Sequence, residues 1–123
     1  MKRICIDLDG VIASFKQPGQ GYPQVQPIPG AVERLHQWKA EGHYLIIFTA
    51  RHMKTCGANV GLVNARVTEA TLAWLRQHNV PYDEIFFVKP WADIYIDDNA
   101  LRFQSWDRLP LSALDLPSSN EST

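Results

Sequence analysis

The chain has 123 residues, enough to bury one sizeable core and too few for two, and its 46% hydrophobic and 20% charged content is ordinary for a globular protein. A formal net charge of -1 speaks against a surface built for a polyanion, although a local basic pocket stays open. No apolar run approaches the roughly 20 residues of a membrane span. Lys2-Arg3 and a few apolar residues before Asp7 do not make a signal peptide, so the chain is expected to be cytoplasmic.

In chain order, the first element is a strand predicted from Arg3 to Asp7, "RICID", in which Cys5 is expected to be a core thiol. This apolar run leads straight into two carboxylates, Asp7 and Asp9, with one leucine between them. Like charges at the end of a buried segment repel and are costly to desolvate, so something positive is expected beside them. Residues 14 to 30, "SFKQPGQGYPQVQPIPG", are rich in Gly, Pro and Gln and read as a long loop whose 14 to 28 part forms a flap. The stretch "PGAVERLHQWKAEG" predicts a helix that starts beside Pro29 and stops at Gly42, with Val32, Leu35, His36 and Trp38 at helical spacing.

The run "YLIIFT" predicts a second strand from Tyr44 to Thr49, and a continuous apolar run of this kind suits a parallel sheet buried on both faces. Residues 51 to 65, "RHMKTCGANVGLVNA", read as a second long loop, and a lone His52 with Cys56 falls short of the four ligands of a zinc site. A second helix is predicted in "VTEATLAWLRQHNV", stopped by Asn79 and Pro81. Third and fourth strands are predicted from Glu84 to Val88 and from Asp93 to Asp97. His36, His43 and His78 read as structural histidines, and Trp38, Trp74 and Trp106 as packing residues. This order predicts an α/β fold with a central, mainly parallel sheet flanked by helices, as one domain over residues 1 to 116, with the polar tail 117 to 123 frayed.

In an open parallel sheet, ligands sit beyond the carboxyl ends of the strands. There the predicted strands place Asp7, Thr49, Lys89 and the pair Asp97-Asp98. Several carboxylates, a hydroxyl and a lysine in one crevice make sense if a divalent cation and a phosphate share it, because Mg²⁺ takes hard oxygen ligands and keeps waters. Thr49 and the backbone N–H groups around Asp9 and Gly10 can donate to phosphate oxygens, and Lys89 can supply charge.

The segments "DLDGV" at 7 to 11, "FTAR" at 48 to 51, "KP" at 89 and 90 and "IDDN" at 96 to 99 resemble, in order, the four motifs of the haloacid dehalogenase (HAD) superfamily. More locally, "FTARHMKTCGANVG", "NVPYDEIFFVKPW" and "YIDDNA" resemble the small capsule-polysaccharide-biosynthesis phosphatases of that superfamily. The resemblance implies a Rossmann-like HAD core in which Asp7 is the nucleophile and a metal ligand, and Asp9 the general acid and base with its backbone carbonyl on the metal. Thr49 and Lys89 would orient the phosphate, with Gly10 and Ala50 beside it. Asp98 would be a direct Mg²⁺ ligand, with Asp97 behind it or paired with Lys89.

Neither the interval from Asp9 to Pro29 nor that from Val88 to Lys89 has room for a cap domain, so a capless enzyme is expected. Substrate selection would then fall to Arg51, His52, Lys54 and Asn59 of the second loop, to the flap, or to a second copy of the chain covering an open site. Trp91 is a further candidate substrate contact. The expected activity is a Mg²⁺-dependent phosphomonoesterase working through an aspartyl-phosphate on a small phosphorylated sugar or polyol of surface-polysaccharide synthesis. The alternatives are a polynucleotide-end phosphatase, which the net charge disfavours, and a non-catalytic phosphate-binding module.

Overall fold

The computed structural model describes residues 1 to 51, 53 and 60 to 117, with backbone alone for 60 to 63. Three strands, β1 (Arg3–Asp7), β2 (Tyr44–Phe48) and β3 (Glu84–Phe86), form one sheet in the order β1-β2-β3. Both pairings are parallel, with Asp7 opposite Phe48 and Phe48 opposite Phe86, so the three carboxyl ends lie side by side. The ladder runs one bond further at that end, through Leu8 N to Phe48 O at 3.0 Å and Thr49 N to Phe86 O at 2.9 Å.

Helix α1 (Ala31–Ala40) connects β1 to β2, and α2 (Val60–Gln77) connects β2 to β3. Both helices end on a residue in the left-handed region, Gly42 (φ 91°) and Asn79 (φ 55°). The chain then folds back, with His43 N donating to Trp38 O and Val80 N to Leu75 O. This is the usual way a helix satisfies its last carbonyls. Leu35 and Trp38 of α1 and Trp74 and Leu75 of α2 share one core with Ile6, Leu45 and Ile47. Burial of Trp38, Trp74 and Trp106 matches their expected packing role.

Three expectations are corrected. Helix α2 begins at Val60, within the predicted second loop. Gly61 falls inside this helix, but a helical glycine costs only about 1 kcal/mol, which later turns offset by burying Thr71, Trp74 and Leu75. Cys5 is exposed and not a core thiol. In β1 and β2, Ile6, Leu45 and Ile47 are buried while Cys5, Ile46 and Phe48 on the alternate positions are not, so the apolar runs reflect one covered face and one more open face. The period of two puts Asp7 on the open side with Phe48.

The third correction is the fourth strand, which does not form. Residues 91 to 102 are exposed throughout, and Ile96 is 95% exposed. A parallel neighbour needs a crossover of about a dozen residues or more, whereas only Phe87 to Ala92 separate β3 from Asp93. The chain continues instead to residues 103 to 116, which wrap back onto α1. Trp106 packs against Trp38, with ring centroids 5.6 Å apart and planes tilted by 60°, and donates from its indole N–H to Val11 O at 2.8 Å. Arg34 donates to the carbonyls of Leu109 and Pro110.

Candidate active site

β1 delivers Asp7 to the end of the sheet, and the chain turns at once. Leu8 O accepts from the backbone N–H groups of Ile12 and Ala13, while Gly10 N donates to Ala13 O at 2.7 Å. Gly10 has φ 87°, a backbone conformation that favours glycine, and a β-carbon there would also make the exposed Phe15 ring swing aside. Its N–H is spent inside the loop and is not turned toward a phosphate as expected.

Asp7 and Asp9 each receive a cation. Lys89 Nζ lies 2.6 Å from Asp7 Oδ2. The ammonium also lies 4.7 Å from the Phe48 ring centroid and 4.5 Å from that of Tyr95, two favourable cation–π contacts. Tyr95 is fixed by its hydroxyl, which donates to Pro90 O. Burial raises the Asp7 carboxyl above the ordinary carboxylate range; the hydrogen bond and charge of Lys89 pull it down, and the Asp9 charge adds to the rise. Burial outweighs the ion pair.

Asp9 is held from the other side. Arg51 Nη2 donates to Asp9 Oδ1 at 2.8 Å, Arg51 Nε lies 3.1 Å from the same oxygen, and Thr49 Oγ1 donates to Asp9 Oδ2 at 2.9 Å. The guanidinium is anchored in turn by Nη1 donating to Thr71 Oγ1 of α2 at 2.9 Å. Thr49 and Thr71 are fully buried, and Arg51 is 2% exposed. The Tyr22 ring of the flap closes over Arg51, with the guanidinium carbon 3.9 Å from its centroid.

The structure therefore joins Asp7 with Lys89, and Asp9 with Thr49 and Arg51, at one end of the sheet. It changes two expected roles. Thr49 directs its hydroxyl at Asp9, and Arg51 is a buried partner of Asp9 where a substrate contact at the mouth of the site was expected. Ala50, between them, is half-buried. Asp97 and Asp98 are not brought to the crevice. Both are exposed, and Asp97 accepts locally from Asn99 N at 3.3 Å, which with Asp98 holds its carboxyl below the usual range. Trp91 is 67% exposed. His52, Lys54 and Asn59 lie outside the described residues. The roles of Thr71 and Tyr22 were missed in the sequence, where a helix threonine and a flap tyrosine carry no signal of their own.

Among the described residues, no three His, Cys, Asp or Glu side chains gather closely enough to cage a metal ion. Mg²⁺ does not need such a cage, because it is commonly held by one or two carboxylates together with substrate phosphate and water. Asp7 fits that pattern. It is a half-buried hard-oxygen donor whose proton affinity is already raised by burial and by Asp9, so a cation relieves it.

A parallel sheet with paired carboxylates beyond its first strand and a lysine from the segment after its third is the arrangement of a HAD-superfamily phosphatase. Comparison with known proteins agrees. The family model described as "5' nucleotidase, deoxy (Pyrimidine), cytosolic type C protein" matches residues 15 to 109, a span that includes Thr49, Arg51 and Lys89 and begins after Asp9. A protein of Chlorobaculum tepidum named "Putative 5'(3')-deoxyribonucleotidase" is 33% identical over 82 residues; the match covers 63% of this chain and 38% of that protein's length. A crystal structure of a target protein from Vibrio cholerae superposes with a TM-score of 0.71 at 38% identity, covering 83% of this chain and 84% of that one. The chain belongs to the cytosolic type C 5'-nucleotidase family of HAD phosphatases.

Proposed function

We propose that the protein is a phosphomonoesterase in which Asp7 accepts the phosphoryl group, and that its substrates are nucleoside monophosphates, deoxyribonucleotides among them. The observation that carries this reading is the pair of carboxylates at the end of β1, each held by its own cation. Lys89 offsets part of the pull of burial on Asp7 and points its charge at the carboxylate oxygen that an in-line attack on phosphorus would use.

In the first step an Asp7 oxygen bonds to phosphorus, the bond from phosphorus to the sugar oxygen breaks, and Asp9, having first taken a proton from solvent, passes it to that departing oxygen. In the second, Asp9 takes the proton from a water that attacks phosphorus. The Asp7–phosphorus bond breaks, and inorganic phosphate leaves. Thr49 and Arg51 orient Asp9 for both transfers. Bound Mg²⁺ would be held by Asp7 and would supply neutralising charge at the phosphate oxygens; Asp98 and Asp97, exposed here, would join it only if their segment moved toward the crevice.

The nucleotide replaces the sugar or polyol phosphate expected from the sequence because the matching family and the Chlorobaculum tepidum relative both carry nucleotidase names. A panel of 5'- and 3'-nucleoside monophosphates, sugar phosphates and one aryl phosphate, assayed with Mg²⁺ and read as kcat/KM, tests the proposal. A deoxynucleotide is expected to rank first. A sugar phosphate ranking above every nucleotide would remove the substrate class, and no turnover of any ester would remove the activity.

A further inference from the structure

We propose that Tyr22 of the flap and Thr71 of α2 are positioning residues for Asp9, acting through Arg51, so that seating of the flap governs how fast the leaving group departs. The inference rests on the reading of Asp9 as the proton-transfer group. Arg51 is buried, and among the described residues its guanidinium is held by contacts from the β1 turn, helix α2 and the flap. Asp9 takes two of its nitrogens, Thr71 Oγ1 accepts from Nη1 at 2.9 Å, and the Tyr22 ring covers its face at 3.9 Å. A guanidinium fork fixes a carboxylate only as well as the fork itself is fixed, because its donors are rigid in one plane. Tilting that plane tilts Asp9.

The flap is built to hold this ring in place. Ser14 N donates to Gln26 O at 2.8 Å and Ile28 N to Ile12 O at 2.8 Å, which ties the base of the flap together. Val25 is buried, and its carbonyl accepts the indole N–H of Trp74 at 2.9 Å, which pins the flap to α2. Tyr22 begins the single helical turn Tyr22–Gln24, closed by Gly21 N donating to Gln24 Oε1 at 2.6 Å. Lys16 Nζ also lies 4.4 Å from the centroid of the ring, so the phenol meets two cations. The Tyr22 hydroxyl is pushed up by burial and by the Asp9 charge, which agrees with a ring seated beside that carboxylate. The phenol is thereby kept neutral, as a stacking surface.

The test compares Tyr22→Leu, Tyr22→Phe, Thr71→Val and Thr71→Ser on an alkyl phosphate, a nucleoside monophosphate, and on an aryl phosphate whose leaving group needs little protonation. Tyr22→Leu and Thr71→Val are expected to lower kcat for the alkyl ester about tenfold and for the aryl ester less than about twofold, with KM unchanged, because acid assistance matters most for poor leaving groups. Tyr22→Phe keeps the ring and Thr71→Ser keeps the hydroxyl, so both should restore kcat. Equal losses on both esters, or a change in KM alone, would overturn the proposal. Should Thr71→Val fail to fold, Tyr22→Leu, a substitution on the flap, decides the matter. A crystal structure of Tyr22→Leu adds a readout that does not depend on turnover. The Asp9–Arg51 fork should open or rotate, and an unchanged fork sinks the proposal even if the parent proves inactive on every ester.

Discussion

Lys89 Nζ stands 2.6 Å from Asp7 Oδ2 although 82 residues separate the two in the chain. The contact gives the half-buried carboxylate its cation and leaves Asp9 to a different one, Arg51, 42 residues away in sequence. Two like charges at one strand end are thus tolerated because each has its own neutralising partner.

Replacing Asp7 by Asn should remove turnover, since an amide oxygen cannot form the phosphoryl intermediate. Folding should survive, because the amide oxygen still accepts from Lys89 and a desolvated charge is lost. Retention of more than about one per cent of the parent kcat, where covalent catalysis should be lost outright, would count against Asp7 as the acceptor.

Arg51→Ala should behave as a damaged support and not as a lost substrate contact. Removing the buried cation leaves Asp9, about a quarter exposed, with Thr49 but without its charged partner, so unfolding in urea should show a loss of about 1–3 kcal/mol. Turnover of aryl and alkyl esters should both fall, the alkyl more. A variant of parental stability whose only defect is a raised KM for one metabolite would return Arg51 to the substrate side.

The acidic pair beyond residue 96 can be tested by titrating Mg²⁺ against activity. Asp97 is engaged by the Asn99 backbone. Asp98→Ala is therefore expected to raise the Mg²⁺ needed for half-maximal rate by about tenfold, roughly 1.4 kcal/mol, and Asp97→Ala by less. If neither moves, the pair stays in solvent with the metal bound, and Asp7 holds it with phosphate and water alone.

Acid stability should report on Asp83, which accepts from Lys39 Nζ at 2.7 Å and from Leu45 N at 2.8 Å. These bonds, Lys39's first, hold its carboxyl below the usual range. A lowered carboxylate adds stability above its unfolded value, about pH 3.9, and that stability is lost as pH falls through the folded value. The parent should therefore lose Tm more steeply below about pH 4 than Asp83→Asn, whose thermal unfolding should be flatter there; for a pair this accessible the effect at neutral pH should stay under about 1 kcal/mol. Parallel curves would show that the bridge contributes nothing.

Much of this was legible in the residues. Apolar runs ending in Asp7 and Thr49 marked β1 and β2, and the order of carboxylates, threonine and lysine marked the crevice. The rest depends on distant partners. Whether Arg51 faces out or in is decided by Thr71 twenty residues later and by Tyr22 in the flap. An apolar run also does not say which faces will be covered, and so Cys5 was misplaced. The fourth strand failed on connection length, a constraint that local pattern does not carry.

The separation between Lys89 and Asp7 also has a meaning in time. At translation rates of about 5–20 residues per second, Asp9 waits about 2–8 s for Arg51 to be made, while Asp7 waits about 4–16 s for Lys89, given separations of 42 and 82 residues. On a growing chain Asp9 is therefore matched first and Asp7 last. A nascent chain stalled between residues 71 and 89 would contain every residue of the Asp9 clamp while Asp7 still lacked its counter-ion.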